Sequence, residues 1–230
     1  MLEPYYSDKW VTIYHGDCRE ILSQLDVKVD LVLTDPPYGI SMSKGYKENV
    51  DKITGDDGFT VMVFLDDILA EYKRILNQGG AVYIFTRFDV MPYWWFKCKN
   101  YFILKNCITW DKGGGFTGDL EGNYGNDSEM ILFMACGRHK LRGKREGNIW
   151  AYPKCKLEYH ETQKPEELIE HIIQKSTDEG MLILDPFLGS GTTAYCAKKL
   201  NRRCIGIEIE EKYCEIAANR CRQSVMELGL

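Results

Sequence analysis

Two short apolar runs each break off at an Asp-Pro step: Val29–Thr34 (VDLVLT) runs into Asp35-Pro36, and Met181–Leu184 (MLIL) into Asp185-Pro186. Brief apolar runs of this kind suit strands covered on both faces, as in a parallel sheet. Proline has a fixed φ and no N–H, and it pushes the residue before it to extended backbone. Each strand is therefore predicted to end in a stiff loop that carries a carboxylate. In the first case the loop reads Asp35-Pro36-Pro37-Tyr38, so the acid and the tyrosine are held with little freedom. Backbone carbonyls there lack partners in regular structure and are available to a ligand.

Parallel strands need crossovers, and the chain supplies helical patterns between strand-like runs. Further strands are predicted over Trp10–Tyr14, Ala81–Thr86, Phe102–Trp110, Met130–Ala135 and Cys204–Ile209, seven in all with the two above. Helical spacing covers Val61–Leu76, stopped by Gly79-Gly80, then Pro165–Ser176, Thr193–Leu200 and Glu211–Val225. Gly113 to Gly115 and the stretch Gly118–Gly125 read as loop. The expected fold class is α/β: one Rossmann-like domain over residues 1–230 with a doubly wound, mostly parallel seven-stranded sheet.

Composition narrows the partners. With 44% hydrophobic residues and no apolar run near the roughly 20 residues of a membrane span, no membrane partner is expected. The start, Met1-Leu2-Glu3-Pro4, does not resemble a signal peptide, so the expected location is the cytoplasm. Nine cysteines without a C-x-x-C pair fit free thiols, and no metal site is predicted. The net charge is −5, yet Arg138, Lys140, Arg142, Lys144 and Arg145 form a run without an acid.

The second Asp-Pro loop continues as Phe187-Leu188-Gly189-Ser190-Gly191-Thr192-Thr193 into a helix, and the next strand ends at Glu208, 23 residues after Asp185. Strand, Gly-x-Gly turn, helix and a distal acid make a nucleotide-binding half-unit, the acid accepting from ribose hydroxyls. The turn lacks the third glycine of a dinucleotide site and the lysine of a P-loop. A turn with an acid and no lysine suits a cationic nucleoside without phosphates, such as S-adenosylmethionine.

Taken together, these motifs resemble the amino-methyltransferases of DNA modification, in the permuted "beta" order that puts D-P-P-Y before D-P-F-x-G-S-G-T-T. The resemblance covers nearly the whole chain. It implies an enzyme that transfers the methyl of S-adenosylmethionine to an exocyclic amine of a flipped DNA base, with Asp35, Pro36, Pro37 and Tyr38 as the reacting site. It places Asp17 and Cys18 (the G-D-C motif) at the cofactor adenine, where Asp17 is alternatively a helix N-cap. Thr162, Gln163 and Lys164 (T-Q-K-P) fall at the cofactor's methionine end. Asp35 also borders the cofactor. Asp185, Phe187, Gly189, Ser190, Gly191, Thr192, Glu208 and Ile209 complete its site, and Glu129 lies near the base pocket.

The same resemblance makes the basic run, within a short insert at about 137–160, the expected contact to double-stranded DNA. Gly39–Gly58, with Lys44, Tyr46 and Lys47, shares the reading of sequence. D-P-P-Y favours adenine N6 over cytosine N4 without settling the choice. A non-catalytic nucleic-acid-binding relative is the alternative of another class. A homodimer and a cognate restriction endonuclease are candidate partners.

Overall fold

The computed structural model describes residues 2–36, 58–114, 121–122, 124–154 and 163–227, with the side chains of 58–65 and 224–227 left aside. Along the chain run β1 (Tyr6–Ser7), β2 (Val11–His15), α1 (Cys18–Gln24), β3 (Val29–Thr34), α2 (Gly58–Ile75) and β4 (Leu76–Thr86). They are followed by α3 (Met91–Cys98), β5 (Ile103–Asp111), β6 (Ser128–Ala135) and β7 (Ile149–Ala151). The last third holds α4 (Glu166–Ser176), β8 (Leu182–Asp185), α5 (Thr192–Lys199), β9 (Arg203–Glu208) and α6 (Glu211–Glu227).

Among the described residues the strands form one sheet in the order β1-β2-β9-β8-β3-β4-β6-β5-β7. The five central strands from β2 to β4 are parallel. β6 is antiparallel to β4, β5 antiparallel to β6, and β7 parallel to β5. The expected α/β class and all seven expected strands are present. The count is nine, not seven, because β1 and β7 add an edge strand on each side. With two and three residues, they are too short to leave a periodic signal in the sequence.

Both faces of the sheet are covered, which is why its strands read as continuous apolar runs. Leu31, Leu33, Tyr83, Phe85 and Ile183 point to the side packed by Ile169 and Ile173 of α4, Ala194 of α5 and Ala217 of α6. Their neighbours Val32, Val82, Ile84 and Leu184 point the other way, against Leu22 of α1, Ile68 and Tyr72 of α2 and Trp94 of α3. This period-two partition sets each strand's register against two helical layers at once.

Besides the short α1, which no expected helix covers, two elements differ from expectation. Gly79-Gly80 does not form a loop between α2 and the next strand. β4 begins at Leu76, runs through both glycines, and shifts register against β3 between Val29 and Leu31. α3 has no counterpart among the expected helices. Its Tyr93, Trp95 and Phe96 are exposed while Trp94 and Cys98 are buried, so its hydrophobicity runs round the helix and gives no amphipathic stripe. No helix among the described residues is long and apolar enough to cross a membrane. The eight described cysteines are free thiols.

Candidate active site

β3 and β8 are neighbours, with Val32 opposite Leu184. After β3 the chain crosses to β4 on one side; after β8 it crosses to β9 on the other. The loops therefore part above this pair and leave a crevice at the strands' carboxyl ends, where open α/β sheets bind ligands. Asp35 and Asp185 stand at the two lips of that crevice. The strand before Asp17 pairs with the strand carrying Glu208, His15 lying opposite Glu208. Residues from both ends of the chain thus share one sheet edge.

The Gly-rich turn is held by its acid neighbours. Gly189 N–H donates to Glu208 Oε2 at 2.7 Å and Glu210 N–H to Glu208 Oε1 at 2.8 Å. A carboxylate has about four lone-pair sites, so Glu208 braces the turn and keeps acceptor capacity for hydroxyl groups. Gly189 has φ +53 and open space where a Cβ would project; Gly191 has φ +84, and a Cβ there would come within 2.6 Å of Ala217. The first glycine leaves room above the turn, and the second lets α6 pack beneath it. Phe187 N–H donates to Asp185 Oδ1 at 3.2 Å. Burial pushes the Asp185 carboxyl up to about 7; hydrogen bonds from Thr193 and Phe187 work against this, and the carboxylates of Asp35 and Glu208 add to it. Burial also raises Glu208. These acids and the bare turn fit a cationic nucleoside better than a phosphate.

Other expected cofactor residues fall on the same edge with mixed engagement. Asp17 caps α1, accepting from Arg19 N–H at 2.9 Å, and pairs with the Arg19 guanidinium, which lowers its pKa. Cys18 is buried and its thiol is pushed up to about 12, so it packs under the site. Ser190 and Thr192 are buried as well. Arg220 of α6 donates to the Ser190 carbonyl at 2.9 Å and to Thr192 Oγ1 at 3.1 Å, and it pairs with Glu166 of α4. Sequence reading missed this buried arginine, since nothing local says that the last helix reaches the turn. Ile209 is about half exposed at the rim.

On the other lip, Lys164 Nζ donates to Asp35 Oδ2 at 2.5 Å and lies 3.3 Å from Glu129 Oε2. Lys112 approaches the other Glu129 oxygen, also at 3.3 Å. The Lys164 ammonium sits 5.1 Å from the Phe85 ring centre and 5.9 Å from that of Trp110. Burial alone would lower its pKa, but Asp35 and Glu129 outweigh this and hold it above the usual lysine range. Phe85, Trp110 and Lys112 carry no motif and were not foreseen. Pro36 is buried and Gln163 half-buried. Pro37, Tyr38 and Thr162, like Lys44, Tyr46 and Lys47, lie outside the described residues. No group of three or more His, Cys, Asp or Glu side chains among the described residues is arranged to hold a metal.

The basic run is placed elsewhere. β6 is antiparallel to β4, with Met130 opposite Thr86 and Ala135 opposite Ala81. The loop after β6 therefore leaves from the edge opposite Asp35, about 17 Å away at roughly 3.4 Å per strand residue. There His139 bonds the Gly79 carbonyl at 2.7 Å, and Arg142 pairs with Asp178 at 2.7 Å and donates to the Ser176 carbonyl at 2.8 Å. Arg138, Lys140, Lys144 and Arg145 are exposed on that same edge. The run expected to contact DNA thus sits at the edge of the sheet opposite Asp35, where Arg142 braces the end of α4.

The DNA methylase family (the N6 and N4 methyltransferases) matches residues 29–219. The type II methyltransferase M2.DpnII of Streptococcus pneumoniae is 32% identical, covering 96% of this chain and 92% of its own length. The DNA adenine methyltransferase YhdJ of Escherichia coli K12 is 29% identical, covering 91% and 82%. The crystal structure of the M1.HpyAVI–SAM complex superposes with a TM-score of 0.72 at 30% identity, over 91% of this chain and 99% of that one. Motif order, the paired lips of the crevice and the family match agree, and the chain belongs to the DNA methylase family.

Proposed function

We propose that this protein methylates the N6 amine of adenine in double-stranded DNA, with S-adenosylmethionine as donor and Asp35 as the residue that receives the amine. The observation that carries the reading is the placement of Asp35 and the Gly189–Gly191 turn on adjacent strands across one crevice. The fit of the residues to the donor rests on the bare turn and its buried acids, Asp185 and Glu208. When bound, S-adenosylmethionine supplies an electrophilic sulfonium methyl.

The chain's own residues then act on the acceptor. An adenine amine is a poor nucleophile because its lone pair is delocalised into the ring. Asp35 accepts one N–H and the Pro36 carbonyl the other, which draws the nitrogen toward tetrahedral geometry. Holding it in line supplies much of the rate. In a duplex the amine is hidden, so the base is flipped out first, and Tyr38 stacks on it at about 1–3 kcal/mol. When bound, the donor would be held by Glu208 at its ribose hydroxyls, by Asp17 at its adenine, and by Phe187 and Ile209 nearby. Adenine is favoured over cytosine by the Asp at the head of the motif and by the relative named as an adenine methyltransferase. The grip on phosphates falls to cations on the crevice edge, such as the exposed Lys154. A homodimer and a cognate restriction endonuclease remain part of this reading as its partners.

Nucleoside mass spectrometry after incubation with duplex DNA and labelled cofactor tests it. N6-methyladenine is the expected product, and N4-methylcytosine alone overturns the choice of base. Asp35→Ala is expected to lower turnover by about 10²-fold or more while cofactor affinity is retained. Undiminished turnover in that variant defeats the assignment of Asp35.

A further inference from the structure

The ammonium of Lys164 is enclosed on four sides: Asp35 at 2.5 Å, Glu129 at 3.3 Å, and the faces of Phe85 and Trp110. The two rings are themselves locked edge to face, 6.2 Å apart at 84°, and the Trp110 indole N–H is tied to the Tyr152 carbonyl at 2.7 Å. Glu129 is held in turn by Lys112 at 3.3 Å. The Lys164 side chain is 11% exposed. Its charge therefore faces the proposed acceptor's carboxylate and a second carboxylate that Lys112 also holds.

From this geometry we infer that Lys164 is a positioning residue for Asp35, with Glu129 as its anchor, and that its task lies on the acceptor side of the reaction and not in gripping the methyl donor. The inference rests on the reading of Asp35 as the amine's acceptor. A carboxylate on a short side chain rotates about χ2, a broad torsion. A charge-assisted hydrogen bond to one oxygen fixes that rotation, and the fixed plane sets the direction in which the amine is received. Glu129 contributes by keeping the ammonium where Asp35 meets it. Lys112, Phe85 and Trp110 restrict the alternatives open to both.

The two roles for Lys164 separate in measurement. As a positioning residue, Lys164→Gln lowers kcat by about ten- to a hundredfold, leaves the Kd for S-adenosylmethionine within about twofold, and is partly rescued by Lys164→Arg. Glu129→Gln, nearly isosteric, lowers kcat in the same sense. The double variant is no worse than the weaker single one, because coupled residues are not additive. A cofactor Kd weakened tenfold with kcat preserved overturns the inference and returns Lys164 to the donor. Additive losses sever Glu129 from it. If Lys164→Gln fails to fold, Glu129→Gln carries the same split between kcat and Kd.

A readout without turnover distinguishes failure here from failure of the proposed reaction. In the ligand-free full chain the Nζ resonance of Lys164 is expected to shift on Asp35→Asn and again on Glu129→Gln; no shift from either defeats the geometry. An N4-methylcytosine product alters the proposed base and leaves this split between kcat and Kd intact.

Discussion

Folding makes the Asp185 carboxyl harder to ionise. Burial lifts it from 3.8 to about 7, so the folded chain binds its proton more tightly than the unfolded chain. The stability this confers is full below pH 4 and is lost as pH rises through about 7. Asp185→Asn removes the ionisation with little change of shape. In urea unfolding the wild type should lose up to about 3 kcal/mol of stability between pH 5 and 8, roughly two pH units at 1.36 kcal/mol each, and the variant should show a flatter profile. A cationic ligand offsets the cost of the charge, so cofactor affinity should strengthen over the same interval in the wild type only. The role of Asp185 as a turn acid was legible in the sequence, because Asp-Pro after an apolar run is a local signal. Its proton affinity was not, since that depends first on burial by elements distant in sequence and then on Asp35 and Glu208 arriving beside it. Arg220 was illegible for the same reason: its partners Ser190, Thr192 and Glu166 come from other elements.

At the scale of the element, the loop from Arg138 to Arg145 shows what a linear pattern omits. A basic run predicts an exposed loop, and the loop is there. Which sheet edge it occupies is decided by β6 running antiparallel to β4, a long-range fact. With the proposed phosphate grip on the crevice edge, replacing Lys144 and Arg145 by glutamine should leave the salt dependence of DNA binding unchanged. A flatter salt slope in that variant restores the loop to the DNA. Arg142→Ala should instead lower the thermal midpoint by several degrees, a loss of about 1–3 kcal/mol. The variant leaves the Ser176 carbonyl and Asp178 without the guanidinium that holds the end of α4. α3 failed to register for a different reason. Its exposed Tyr93, Trp95 and Phe96 erase the one-sided pattern by which surface helices are recognised.

For the whole molecule, the order of the central strands was the most legible feature. The motifs required the strand before Asp17 to lie beside the one ending at Glu208, and β2 does pair with β9. The edge strands and the register shift in β4 depend on contacts that no short window encodes. The same order has a consequence for the chain as it is made. β2 and β3 belong to the first 34 residues but never touch; β9 and β8 are inserted between them. Until β8 and β9 leave the ribosome, two apolar strands therefore wait with open edges, and open edges invite pairing with other chains. The nascent protein depends on β8 and β9 to close the sheet, and a message cut short before β8 should yield an aggregation-prone product in place of a weak enzyme.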